Sequence, residues 1–372
     1  MNPFVYTAAS IDQLQPGILE YFDKGHKPTL ALVFSSVAYP VEEIGKIFAT
    51  YDIDVLGASS FAEIAGGNIR EGSMVIMLTD IQKSMYRLNI FGRAGITSYE
   101  AGQEAAAWSK TIFENPGLII VTAFQDGDGD QVVSGIRSVL GNSAALFGGM
   151  AGNDTNPAHL PTVYLSKSSV THGIAVLAID RNCIRLDGIT SSGWKGIGTF
   201  KTVTRSEGNI VHTIDHQPAA EVYNKYLDVS RESSPYYSGQ FGMQLERSDG
   251  SFITRIAMNF NNDGSILFAG RFPEGSRIRF SSAPGIELVQ HTMEQLKEFH
   301  NKIPEADATV LFSCGARFYA LNPVIEKETL AVSSLWKVPC AGFFTYGEYG
   351  PDTMGQCDYH NFTLSLLLMK EN

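Results

Sequence analysis

The feature that most constrains this chain is a five-element order that recurs along it: helix, strand, helix, strand, strand. In the first copy, Leu14, Ile18, Leu19 and Phe22 share one face of a helix predicted from Ile11 to Phe22. A buried strand, Leu30 to Phe34, follows, then a helix from Val41 to Tyr51 with Ile44, Ile47 and Phe48 at helical spacing. Strands Val55 to Phe61 and Met74 to Leu78 complete the unit. The second copy places helices at Ser98 to Phe113 and Gln131 to Leu140, with strands at Leu118 to Phe124, Ala144 to Met150 and Gly173 to Ile179. The third has helices at Gly285 to His300 and Ile325 to Trp336, strands at Ala308 to Cys314 and Phe362 to Met369, and the aromatic run from Pro339 between them. The first strand, helix and second strand of each copy read as a right-handed parallel crossover. Repeats of this kind bury their faces against one another, so the copies should share one or two sheets.

Each copy also carries an acid six residues after a strand glycine: Glu63 after Gly57, Asp154 after Gly148, Glu348 after Gly342. Ligands of α/β sheets sit outside the carboxyl ends of parallel strands, and all three acids fall at that edge. Glu348 stands between Gly347 and the Gly350-Pro351 turn, at the mouth of an apolar strand. A buried carboxylate there needs a donor or water; the plainer reading is a strand end with a solvated acid.

Residues Cys183 to Ala283 break the pattern. Short alternating runs around Gly208, Asp249-Gly250 and Asp263-Gly264 predict hairpins in a twisted antiparallel sheet, with one helix from Pro218 to Leu227 and a polar loop from Ser230 to Ser238. The fold class is therefore α/β in two domains, 1–220 and 221–372, the boundary falling between Ile214 and Gly239.

Composition excludes several classes. The formal net charge of −11, without a basic stretch, argues against nucleic-acid binding. No run reaches the roughly 20 apolar residues of a membrane span, and Met1 to Tyr6 lacks a signal-peptide pattern. Cys183, Cys314, Cys340 and Cys357 are scattered, so neither a disulfide framework nor a structural zinc site is expected. The expected setting is a reducing cytoplasm.

These motifs resemble the FIST family of bacterial sensory proteins. The closer likeness is to the FIST C-terminal domain, through Leu311-Phe312-Ser313-Cys314-Gly315-Ala316-Arg317, Gly342 to Pro351, and His360-Asn361-Phe362-Thr363-Leu364. The N-terminal likeness rests on Gly57 to Glu63, Phe147 to Asp154, and Ser192 to Gly198. The chain departs from the family at Trp194-Lys195-Gly196, where a Cys-Arg-Pro-Ile-like sequence is common, and at Phe362, where Gln is common. The resemblance implies a ligand-binding sensor, with amino acids among the proposed ligands. It also implies signalling in trans to a histidine kinase, a cyclic-dinucleotide enzyme or a chemotaxis receptor. Some members bind haem and sense nitric oxide.

For a small polar ligand, Glu63, Asp154 and Glu348 would take an ammonium group and Arg317 a carboxylate, unless Arg317 pairs with Glu348. Trp194 and Tyr346 would form walls, with Ser59, Ser60, Asn153, Cys314, His360 and Asn361 completing the polar lining. The blander roles are a helix cap for Ser59-Ser60, an Asx turn for Asn153-Asp154 and core packing for Trp194. Haem would need an axial ligand from His172, His216 or His360. Catalysis would need Ser59, Ser60, Cys314 or Cys340 as nucleophile, with His216 or His360 as base, yet no G-x-S-x-G elbow is present. The glycines from Gly127 to Gly135 lie among acids, which repel phosphate. A pure interaction module, the remaining reading, would show a large exposed apolar patch.

Overall fold

The computed structural model describes residues 1–124, 127–153, 158–233, 237 and 239–372. Each recurrent unit builds one sheet. In unit 1 the strand Leu30–Ser36 pairs parallel with Asp54–Ser60 and antiparallel with Met74–Thr79. In unit 2 Pro116–Ala123 pairs in the same way with Leu146–Met150 and Gly173–Asp180. In unit 3 Ala308–Cys314 pairs with Cys340–Thr345 and Leu364–Glu371. A strand preceding each unit closes the far edge of its sheet: Phe4–Ala8, Tyr86–Phe91 and Ile184–Ser191.

Between its second and closing strands each unit also contains a short hairpin, and that hairpin joins another unit's sheet. The hairpin Ala62–Ala65 and Asn68–Glu71 of unit 1 pairs with Cys340–Thr345 of unit 3. That of unit 3, Glu348–Pro351 and Cys357–His360, pairs with Leu146–Met150 of unit 2. That of unit 2, Val163–Leu165 and Ser168–Val170, pairs with Asp54–Ser60 of unit 1. The lending runs once around and closes, so the three sheets form an interlocked ring.

The register assigns equivalent positions. Gly57 faces Tyr164, Gly148 faces Tyr349 and Gly342 faces Ile64 across the borrowed hairpins. A Cβ at Gly57 would stand 2.2 Å from the Tyr164 ring, so only glycine lets that ring lie on the strand. One residue earlier on each hairpin stand Val163, Glu348 and Glu63. Two of the three acids, Glu63 and Glu348, thus hold equivalent places. In unit 2 a longer connection separates the second strand from the hairpin, and Val163 occupies the equivalent place. Asp154 itself lies outside the described residues.

The inner faces of the three sheets share one core, where the rings of Phe34 and Phe343 are 4.6 Å apart and those of Phe312 and Phe343 5.9 Å. Helices cover the outer faces: Leu14–Asp23 and Val41–Thr50, Ser98–Ile112 and Gly129–Leu140, and Ile286–Lys302 with Glu326–Trp336. Covered on both faces, strands such as Leu30–Ser36 are buried throughout, which explains their continuous apolar runs. Ile44 and Phe48 of Val41–Thr50 face inward, and Ser98–Ile112 begins with a Thr97/Glu100 capping box.

The second body is inserted into unit 3, between its edge strand Ile184–Ser191 and its helix Ile286–Lys302. It is an antiparallel sheet from Lys195–Glu207 to Arg277–Ser282 that carries the helix Ala219–Leu227. Its two edge strands, Phe252–Arg255 and Ala257–Phe260, are separated only by Ile256, so the sheet curls into an open barrel. The barrel has its own core, with Tyr223 packed against Phe260, Phe268 and Phe280. In space the chain is a ring and a barrel, and residue 220 lies within the barrel. Part of the polar loop expected at Ser230 to Ser238 falls outside the described residues. Among the described residues no helix is long and apolar enough to cross a membrane.

Candidate functional site

The segments that follow the second strands of all three units meet at one end of the ring. Ser59 Oγ donates to the Gly152 carbonyl (2.8 Å) and accepts from Thr162 N–H (2.9 Å). Tyr346 OH meets the carbonyl and Oδ1 of Asn153 at 2.9 and 2.8 Å. Phe61 lies within 6.3 Å of the Tyr346 ring and stacks on Tyr319 at 5.9 Å. Ser59, Asn153 and Tyr346 therefore converge, with Tyr346 partly exposed at the surface, whereas Trp194 lies elsewhere.

Below this surface the two glutamates occupy matching cages. Glu63 accepts from Ser60 Oγ (2.6 Å) and from Ser73 Oγ and N–H (2.9 and 3.2 Å). Glu348 accepts from Thr345 Oγ1, and from Thr363 Oγ1 and N–H at 2.6 and 3.3 Å. Both carboxyls are fully buried. Burial without a cation pushes Glu63 up to about 7 and Glu348 up to about 8, the hydroxyl donors opposing the shift. The cages repeat the spacing Ser60-x-x-Glu63 and Thr345-x-x-Glu348, a signal present in the sequence beside the glycine–acid spacing.

Arg317 does not reach toward Glu348. Its guanidinium binds Glu328 through Nε (3.1 Å) and Nη2, Thr292 Oγ1 (2.8 Å), and the carbonyls of Ser192 (2.6 Å) and Phe362 (3.0 Å). With these donors engaged and both partners of the pair fully buried, it is a structural clamp. Glu328 gave itself away only by sharing a helix face with Thr329, Val332 and Trp336. Trp194 donates to the Gln240 carbonyl and packs on Phe362 at 4.8 Å. Phe362 is held at φ +62, a conformation that costs a side chain of its kind about 1–3 kcal/mol. Cys314 is buried, and burial together with Glu348 drives its thiol far above the ordinary range. It remains a protonated thiol, unsuited to nucleophilic attack. Ser60 is committed to Glu63 and Ser59 to backbone, and neither bonds a histidine.

The hairpin that carries Glu348 also carries His360, directly across the strand pair, and leads into Asn361. The barrel covers this hairpin, and the seam between the two bodies is dense in charge. Arg255 is 3% exposed; its Nη1 donates to the Tyr359 carbonyl (2.8 Å) and its Nη2 to Asp130. Arg247 pairs with Asp358 and Asp352, and Arg137 lies 3.8 Å from Asp358. Burial disfavours the Asp358 charge, but His360, Arg247, Arg255 and Arg137 hold its carboxyl below the usual range. Burial pushes His360 down to about 4, leaving a neutral imidazole at physiological pH. Four polar atoms here lack a hydrogen-bond partner although buried: His360 Nε2, Asn361 Oδ1, Arg255 Nε and Arg137 Nε. Sequence reasoning named His360 and Asn361 but missed Arg255, whose strand gives no local cue that it faces another body.

Of the three histidines weighed for haem, His172 bonds the Ile96 carbonyl through Nε2 (3.0 Å), and His216 is exposed in a turn at φ +64. His360 alone keeps a buried ring nitrogen uncommitted, but it lies among Asp358, Arg247 and Arg255. A porphyrin face needs an apolar slot, so these residues fit haem poorly.

Surface clefts among the described residues lie elsewhere. One of about 640 Å³ separates the helix Val41–Thr50 from the hairpin beyond Tyr164, and one of about 320 Å³ flanks the barrel helix at Asn224 and Phe260.

Comparison with family models is decisive: the FIST N domain matches residues 29–217 and the FIST C domain residues 219–351. The chain belongs to the FIST family. FIST domains are modules of sensory and signal-transduction proteins. No curated protein matches the chain. In this FIST protein the N-domain match begins after the first helix of unit 1, runs through unit 2 and enters the barrel, and the C-domain match ends at Pro351. His360, Asn361 and Thr363 lie past that limit, in the same hairpin and turn as the Glu348 cage.

Proposed function

We propose that this FIST protein is a cytoplasmic sensor that takes up a small polar ligand, such as an amino acid, at the seam beside Glu348, His360 and Asn361. The observation that carries the reading is the group of buried, unpartnered polar atoms on His360, Asn361 and Arg255. Buried polar groups are nearly always hydrogen-bonded, so open valences along one hairpin and on the arginine that bonds its backbone suit a bound guest. Arg255 Nε offers an N–H to a carboxylate, Asn361 Oδ1 accepts from an ammonium group, and His360 Nε2 serves either end. Glu348, Cys314, Trp194 and Arg317 support the hairpin. Tyr346, Asn153, Ser59, Ser60 and Glu63 shape the adjoining surface. Occupancy would pass in trans to a kinase, a cyclic-dinucleotide enzyme or a chemotaxis receptor.

Thermal-shift screening of the proteinogenic amino acids and simple amines tests this reading. A ligand present at a hundred times its Kd adds about 2.7 kcal/mol of stability, a plain rise in melting temperature. The rise should vanish in Asn361→Leu, which keeps the size but not the acceptor. A panel that shifts neither protein, or shifts both alike, rejects the site.

A further inference from the structure

Both crossings between ring and barrel leave from one place. The tethers are Ser192-Gly193-Trp194 and Ala283-Pro284-Gly285, and the first and last barrel residues beyond them, Lys195 and Ser282, are strand partners. Each tether carries a glycine in the left-handed region, Gly193 at φ +87 and Gly285 at φ +65. Two adjacent tethers with permissive backbone make a hinge line.

Away from the tethers Ile256 packs on the ring core and charge links the bodies: barrel arginines face ring aspartates, with Arg137 of the ring also beside Asp358. Arg247, Arg255 and Arg271 belong to the barrel; Asp128, Asp130, Asp352 and Asp358 belong to the ring. Arg271 reaches Asp128 at 3.1 Å and donates its backbone N–H to Asp130 at 2.7 Å. Arg247 reaches Asp352 at 3.5 Å and also pairs with Asp358, and Arg255 pairs with Asp130. These attractions act between the bodies and little within them. Arg317 joins the two ends of the device, because its Nη1 holds both the tether carbonyl of Ser192 and the Phe362 carbonyl next to Asn361.

We infer that the barrel is a hinged cap, closed over the His360–Asn361 seam by this arginine–aspartate latch and swinging on the two glycine-bearing tethers. The inference rests on the proposed ligand reading only for what the cap encloses. It assigns regulation to the same site: a guest bridging Arg255 and Asn361 would favour the closed arrangement, and the cap's position would be the signal a partner reads.

The test is a distance measurement between spin labels on Thr199→Cys of the barrel and Glu114→Cys of the ring, both exposed positions, in a Cys183→Ser background. The intact latch should give one narrow distribution. Arg247→Ala/Arg271→Ala, which leaves the buried Arg255–Asp130 pair in place, should add a second population at a different distance while far-UV circular dichroism is unchanged. Should the double variant fail to fold, Arg271→Ala alone, at a partly exposed side chain, gives the same reading. Distributions that superimpose in the variant and the parent overturn the cap. Because no ligand is added, a failed amino-acid screen leaves this result standing, and a rigid barrel leaves the screen standing.

Discussion

A carboxyl surrounded by hydroxyls behaves differently from one beside a cation, and Glu63 and Glu348 are of the first kind. Their folded pKa values, about 7 and about 8, stand above the ordinary 4.5. Between pH 4.5 and about 8 the folded protein therefore holds protons that the unfolded chain has released, and these groups lower stability as pH rises through that window. His360, pushed down to about 4 from 6.5, acts in the opposite sense, its contribution increasing with pH between those values. The Glu348 effect is isolated by comparing the parent with Glu348→Gln, which removes the titration and keeps the shape. The melting temperature of the variant relative to the parent should rise steadily from pH 5 to pH 8. A difference that is flat across this range, or falls, would show that Glu348 is ionised at neutral pH.

Among elements, the borrowed hairpins decide the architecture. The docking of the unit 2 hairpin depends on Gly57, which leaves room for the Tyr164 ring. Gly57→Ala should cost about 1–3 kcal/mol through overpacking, seen as a lower urea midpoint at unchanged slope. Adding Tyr164→Leu should recover part of that loss, since the ring is the obstacle; equal costs in single and double variants would count against it. The long elements were legible in the sequence because helical and strand periods are strong over ten residues, as in Val41–Thr50 and Leu30–Ser36. The hairpins were not. Val163–Leu165 and Ser168–Val170 are three residues each, and their partner Asp54–Ser60 lies far back in the chain, so no local pattern records the pairing. The site divides in the same way. Glu348 was visible beside a turn signal, and His360 and Asn361 through the likeness to the FIST C-terminal domain, whereas Arg255 and Glu328 matter through neighbours that only the closed fold supplies.

At the scale of the molecule, the ring holds three sheets around one core and the barrel holds its own. Replacing residues 195–282 by a short Gly-Ser linker should leave a folded ring, retaining its cooperative melting transition. The strand Cys357–His360, no longer covered, should then lose protection in hydrogen exchange while Leu30–Ser36 keeps it. If the shortened protein is unfolded, the barrel is part of the ring's stability, and the division into two bodies is only geometric. The mutual lending of hairpins has a consequence for how such an architecture can change over time. An open array of repeats can be lengthened or trimmed at its tips, because a terminal copy has a free side. A circle in which every member fills its neighbour's gap has no tip. Removing one copy would strand one hairpin and leave another sheet short, so the copy number is set at three.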